Sequence, residues 1–196
     1  MLAAALLASV YAGQATAANN VYPNLNAFWE CEDESAVGEK FCQTDNSDLT
    51  VFREASLSFT AKAWIQQALN DFHNNTDLTV TYQNPPIYVG GAETDVIYQV
   101  DPNGLPPTAL AATWCDNAIS ASTCDQHYVR AASNSSVDDV VACHETGHAV
   151  GLTHGENADP AVSNSLDQTL GCMKTPYSNA SRVLGYENAA NINSMY

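Results

Sequence analysis

Residues 144–155 read HETGHAVGLTHG, and they hold three of the chain's five histidines. On a helix, His144 and His148 are four positions apart, so they share one face about 6 Å apart along the axis. Two imidazoles at that spacing can hold one metal ion, and Glu145 stands on the flank of the same face. Gly151 can take the positive φ that ends a helix and turns the chain back. His154 then supplies a third nitrogen. Three protein ligands with a fourth position open to water is the arrangement of a catalytic zinc site. Neutral ligands leave the ion its full charge, so a zinc-bound water falls to a pKa near about 7. Glu145 can act on that water as general base and return the proton to a leaving amine. The expected site is therefore one zinc ion on His144, His148 and His154, with Glu145 as the catalytic residue. H-E-x-x-H alone recurs by chance; Gly151 and His154 at fixed offsets make coincidence remote.

The surrounding periodicity places this run on an element. SSVDDVVACHETGHAVG reads as a helix whose face carries Val137, Val140, Val141, His144 and His148. Ser136 with Asp139 fits a capping box, and the acidic pair suits the positive helix start. Upstream, SFTAKAWIQQALNDFHNN reads as another helix, capped by Ser58, with Trp64, Ile65, Ala68, Leu69 and Phe72 on one stripe. Strands are expected at 48–52, 77–82, 95–100, 108–114 and 126–132, and a short helix at 186–196 that packs Ile192 and Tyr196. One early helix, a set of strands and one late helix make a mixed α/β domain of the α+β type.

The chain has 196 residues, of which 22 are acidic and 6 basic, for a formal charge of -16. Such a surface repels phosphate, so neither nucleic acid nor membrane is an expected partner. MLAAALLASV followed by Ala15-Thr16-Ala17 resembles an export signal over residues 1–17, which implies a secreted, extracellular protein. Six cysteines in an exported chain imply disulfides, with fifteen connectivities open. The local closures Cys31–Cys42 and Cys115–Cys124 are expected, leaving Cys143–Cys172 as a long one. Residues 18–47 read as a disulfide-closed N-terminal segment. Asn74, Asn134 and Asn179 begin glycosylation sequons that matter only in a eukaryotic secretory pathway.

HETGHAVGLTH resembles the H-E-x-x-H-x-x-G-x-x-H motif of the metzincin zinc metalloproteases, and the order of elements is most similar to the matrixin branch. The resemblance covers residues 48–196. It implies a twisted, mixed five-stranded sheet with a packed helix, an active-site helix, an upper lobe to about residue 155 and a small C-terminal lower lobe, 156–196. It also implies a methionine turn beneath the metal, for which GCMKTPY offers Met173, with Pro176 and Tyr177 as one wall of the substrate pocket. Cys143 precedes the first ligand and Cys172 precedes Met173, so the resemblance gives a Cys143–Cys172 disulfide a purpose in tying the lobes. Substrate would lie along the sheet edge near 108–114 by strand addition. The chain departs from the family in carrying Thr175 where some members place a tyrosine ligand. Gly155 stands where the best-known subfamilies have serine, aspartate or glutamate. No Pro-Arg-Cys-Gly segment occurs, so a cysteine switch is not expected. His73 and His127 stand alone, without the cluster of a structural zinc. Calcium suits the acidic composition, but no D-x-D-x-D-G loop places it.

The expected function is a secreted, monomeric zinc endopeptidase acting on protein or peptide substrates. The alternatives are a zinc amidase on a non-peptide amide and a non-catalytic exported binding module with a structural zinc.

Overall fold

The computed structural model describes residues 17–33 and 41–196. The expected export signal, all but Ala17, lies outside the described residues. The chain is a mixed α/β structure around a mostly parallel sheet. Its elements are β1 (Gln43–Thr44), β2 (Thr50–Arg53), α1 (Phe59–Asn75), β3 (Thr81–Tyr82), β4 (Val96–Val100), β5 (Ala111–Ala118), β6 (Thr123–Ala131), α2 (Asp139–Ala149) and α3 (Tyr186–Met195).

Among the described residues the sheet has six strands where five were expected. The extra strand is β1, two residues contributed by the N-terminal segment, too short to leave a periodic signal. β6 is the hub. One of its edges pairs in parallel with β1 at Thr123–Cys124 and then with β4 from His127 onward. β2 continues the sheet beyond β4, and β3 closes that side. The other edge of β6 pairs antiparallel with β5, which is joined to it by a tight turn and ends the sheet. The expected strand at 77–82 shrinks to Thr81–Tyr82, and those at 108–114 and 126–132 shift to 111–118 and 123–131. These ends are set by pairing partners, which local propensity does not see.

α1 begins where Ser58 predicts, its hydroxyl accepting from the Ala61 N–H. Ala61, Ile65, Ala68, Leu69 and Phe72 are buried against the sheet, with Trp64 at the margin. The start of α2 corrects the expected capping box. Asp138 is the N-cap and accepts from Val141 N–H at 2.9 Å, while Ser136 belongs to a preceding 3-10 turn. Asp139 is instead buried and pairs with Arg182 at 3.3 Å. Every residue of α2 is buried, because the helix lies between the sheet and the C-terminal segment.

One apolar core runs from Leu49, Val51 and Val96 through Cys143 and Val150 to Met173, Leu184 and Ile192. The C-terminal residues thus share the core of the sheet rather than forming one of their own. Ile192 is fully buried, and the Tyr196 hydroxyl accepts from Thr44 N–H at 3.0 Å. All three expected disulfides are present. Cys31–Cys42 and Cys115–Cys124 pack together, and Cys143–Cys172 joins α2 to the 3-10 segment Gln168–Met173. Among the described residues no helix is long and apolar enough to cross a membrane.

Candidate metal centre

α2 carries His144, Glu145 and His148. Val150 caps it, and Gly151 then adopts φ 88°, a conformation open to glycine and strained for other residues. The chain reverses there and brings His154 back to the helix. A second strip of backbone holds the reversed segment: Val21 bridges Leu152, and Thr153 N–H and Asn20 Nδ2 bond each other's carbonyls at 2.7 and 3.0 Å. The N-terminal segment therefore helps to place the third histidine, a role that nothing local in residues 19–22 signals.

The three Nε2 atoms lie 3.0, 3.1 and 3.1 Å apart. His144 Nδ1 donates to the Cys172 carbonyl at 2.7 Å and His148 Nδ1 to the Leu152 carbonyl at 2.8 Å. Those bonds put the ring protons of His144 and His148 on Nδ1 and leave their two Nε2 lone pairs facing each other. Facing lone pairs at 3 Å repel, and a shared cation removes the repulsion. Nitrogens on three corners of a tetrahedron 2.0–2.1 Å from zinc stand about 3.3 Å apart, close to the observed triangle. The triad can hold a metal ion. Burial pushes the His148 pKa well below its usual value, and the two neighbouring histidines push it further. A neutral imidazole is the form a metal requires.

Glu145 is 7% exposed. Its Oε2 accepts from the Thr113 hydroxyl at 2.7 Å, across from β5. Burial pushes its pKa up to about 7, against the pull of Thr113 and His154. Thr113 is the site residue that sequence reading missed, since only strand pairing reveals that it faces the helix. Phe41 was also missed: its ring stacks on His148 at 3.5 Å between centroids and meets His154 edge-on.

Met173 is fully buried beneath α2. A Cβ at Gly147 would stand 2.3 Å from its sulfur, so Gly147 is glycine because Met173 packs there. Gly155 has a similar cause, since a Cβ there would come within 2.9 Å of Val162 and Leu170. No longer side chain fits at the position after the third histidine. Tyr177 is 44% exposed and opens a 3-10 turn after Pro176. His127, solitary in sequence, is buried in β6 beside the Cys42 and Asp95 carbonyls. No protein-family model matches the chain, and no match is found among curated proteins.

Proposed function

We propose that this chain is an exported zinc endopeptidase of the metzincin kind, with His144, His148 and His154 as ligands and Glu145 as general base. The observation that carries the reading is the convergence of three Nε2 atoms to 3.0–3.1 Å with a carboxylate on the adjoining residue of the same helix. Held by those nitrogens, zinc supplies Lewis acidity, lowering the pKa of water and polarising a carbonyl. The rest belongs to the protein. Thr113 fixes Glu145 through Oε2, which leaves Oε1 to take the proton of the attacking water and return it to the departing amine. Among the described residues β5 is an edge strand, and apart from Ala118, whose N–H meets Asp33, its outer side offers backbone donors and acceptors to an extended peptide. That same strand carries Thr113, so the proposed substrate edge and the hydrogen-bond donor to the base share one element. Pro176 and Tyr177, just past Met173, form the far wall of the pocket in this reading. Three disulfides agree with an extracellular setting.

One observation favours a second reading, a structural metal clip. The histidines are at most 9% exposed, and Phe41 covers the face of His148. The test is digestion of denatured casein by the full chain, with and without a zinc chelator, cut sites being identified by mass spectrometry. Cleavage abolished by the chelator, and reduced about 10²–10⁴-fold in Glu145→Gln with zinc retained, is the expected result. Intact casein with zinc-loaded protein supports the clip. Hydrolysis confined to non-peptide amides supports an amidase.

A further inference from the structure

Three aspartates remote in sequence meet at the place where β6 exchanges one partner for another. Asp45 follows β1, Asp95 precedes β4, and Asp125 lies on β6 between the residues paired to those two strands. Each offers a carboxylate oxygen within 4.8 Å of the others. Ligand oxygens across a calcium ion at 2.3–2.6 Å are separated by at most about 5 Å, so the three can share one ion.

A clustering of acids alone would say little, and Asp125 adds the decisive feature. It is 7% exposed, and its carboxylate has no hydrogen-bond partner. An ionised buried group without a partner is costly, so such groups are normally paired or bound to a cation. No ion pair of the described residues reaches any of the three. Asp95, 4% exposed, has one oxygen engaged by the Thr50 hydroxyl and N–H, which orients the carboxylate beside that of Asp45. Asp45 is exposed and takes a bond from Asn46. The three face an open cleft of about 450 Å³, also bordered by Asp48, Gln83 and Glu93. That volume admits an ion together with several waters.

We propose that Asp45, Asp95 and Asp125 form a calcium site that pins the end of β1 to β4 and β6. The donors are all oxygen, which selects a hard cation over zinc or copper. Three carboxylates with room for waters suit calcium, whose coordination is large and irregular, better than magnesium, which keeps a near-ideal octahedron. The ionisable groups around Asp95 are Asp45 beside β1, Asp125 on β6, Asp48 and Glu93 at the cleft, the His127 ring by the Asp95 carbonyl and the Tyr196 phenol. Burial pushes the Asp95 carboxyl up to about 7, with Thr50 opposing and Asp45 adding to the rise. A bound dication reverses that penalty. The site also bears on the metal centre, because β1 directly follows Phe41 and Cys42, and Phe41 is the ring on His148.

The test uses the full chain dialysed into metal-free buffer and reloaded with zinc, with zinc counted separately so that the histidine site is monitored independently. Calcium chloride is titrated by calorimetry, and thermal unfolding is followed with and without it. One calcium per chain is expected, with Kd between about 10⁻⁵ and 10⁻³ M and a rise in Tm. Magnesium should bind at least about tenfold more weakly. Asp125→Asn, and Asp45→Asn at an exposed position that does not endanger folding, should each weaken calcium at least about tenfold with zinc content unchanged. No calcium binding up to roughly 10 mM by folded wild-type protein would overturn the proposal. So would an unchanged Kd in Asp45→Asn.

Discussion

Gly147→Ala tests the packing beneath the metal centre without reference to activity. In an ordinary helix interior, alanine is favoured over glycine by about 0.8–1 kcal/mol. Here the new Cβ would stand 2.3 Å from the Met173 sulfur and 3.2 Å from its terminal methyl. Carbon and sulfur need about 3.5 Å or more, so the sulfur must retreat by about 1 Å. Met173 is fully buried and Leu152 already lies 3.4 Å from the same Cβ, so the retreat displaces other core atoms. Overpacking of this kind costs about 1–3 kcal/mol, and so short an approach belongs in the upper half of that range. Subtracting the helix gain leaves a net loss of about 1–2 kcal/mol, or about 2–8 °C in Tm for a chain of this size. Urea unfolding with an unchanged m-value measures it. In a Met173→Ala background the obstacle is gone, and Gly147→Ala should become neutral or stabilising, a coupling of about 2–3 kcal/mol. A Gly147→Ala protein about 1 kcal/mol more stable than wild type, with Met173 present, would show that the methionine does not sit against this helix.

Thr113→Val removes the donor to Glu145 while keeping the shape of the side chain. A hydrogen bond to a charged group is worth about 1.5–3 kcal/mol, so the acidic limb of kcat/KM should rise by about 1–2 pH units with zinc content constant. An unmoved limb would remove Thr113 from the machinery. Burial lowers the His127 pKa to about 4, with the nearby Cys42 and Asp95 carbonyls opposing. The unfolded histidine titrates near about 6.5, so between those values the unfolded chain binds more protons and stability falls as pH drops. His127→Leu should abolish that leg, worth about 3 kcal/mol between pH 6.5 and 4, and denaturant unfolding at the two pH values reads the difference. Replacing Cys143 and Cys172 together by alanine should cost about 2–4 kcal/mol. It should also weaken metal binding by up to about 10-fold, because the bridge steadies the Cys172 carbonyl that receives the His144 Nδ1 proton. Unchanged metal affinity in that variant would separate the disulfide from the site.

The parts readable from sequence were those with a local repeat or a fixed offset. The α1 stripe and its Ser58 cap, the helix under His144 and His148, and the turn at Gly151 follow from a 3.6-residue period and a steric rule. The capping box at Ser136 failed because two acids followed it, and only the packed helix shows that Asp138 reaches Val141 while Asp139 turns inward to Arg182. β1 was invisible because two residues have no period, and β6 alone makes them a strand.

By itself the sequence determined a helix with two histidines on one face, a third after a glycine, and six cysteines to be closed. Offsets of three and four residues are geometry that a helix carries wherever it lies. Tertiary structure alone decided that Asn20 clamps the loop of His154, that Thr113 meets Glu145, that Phe41 covers His148, and that three aspartates from separate strands converge. Those contacts join residues many positions apart, and nothing along the chain encodes them except the sheet pairing and core packing that bring the segments together.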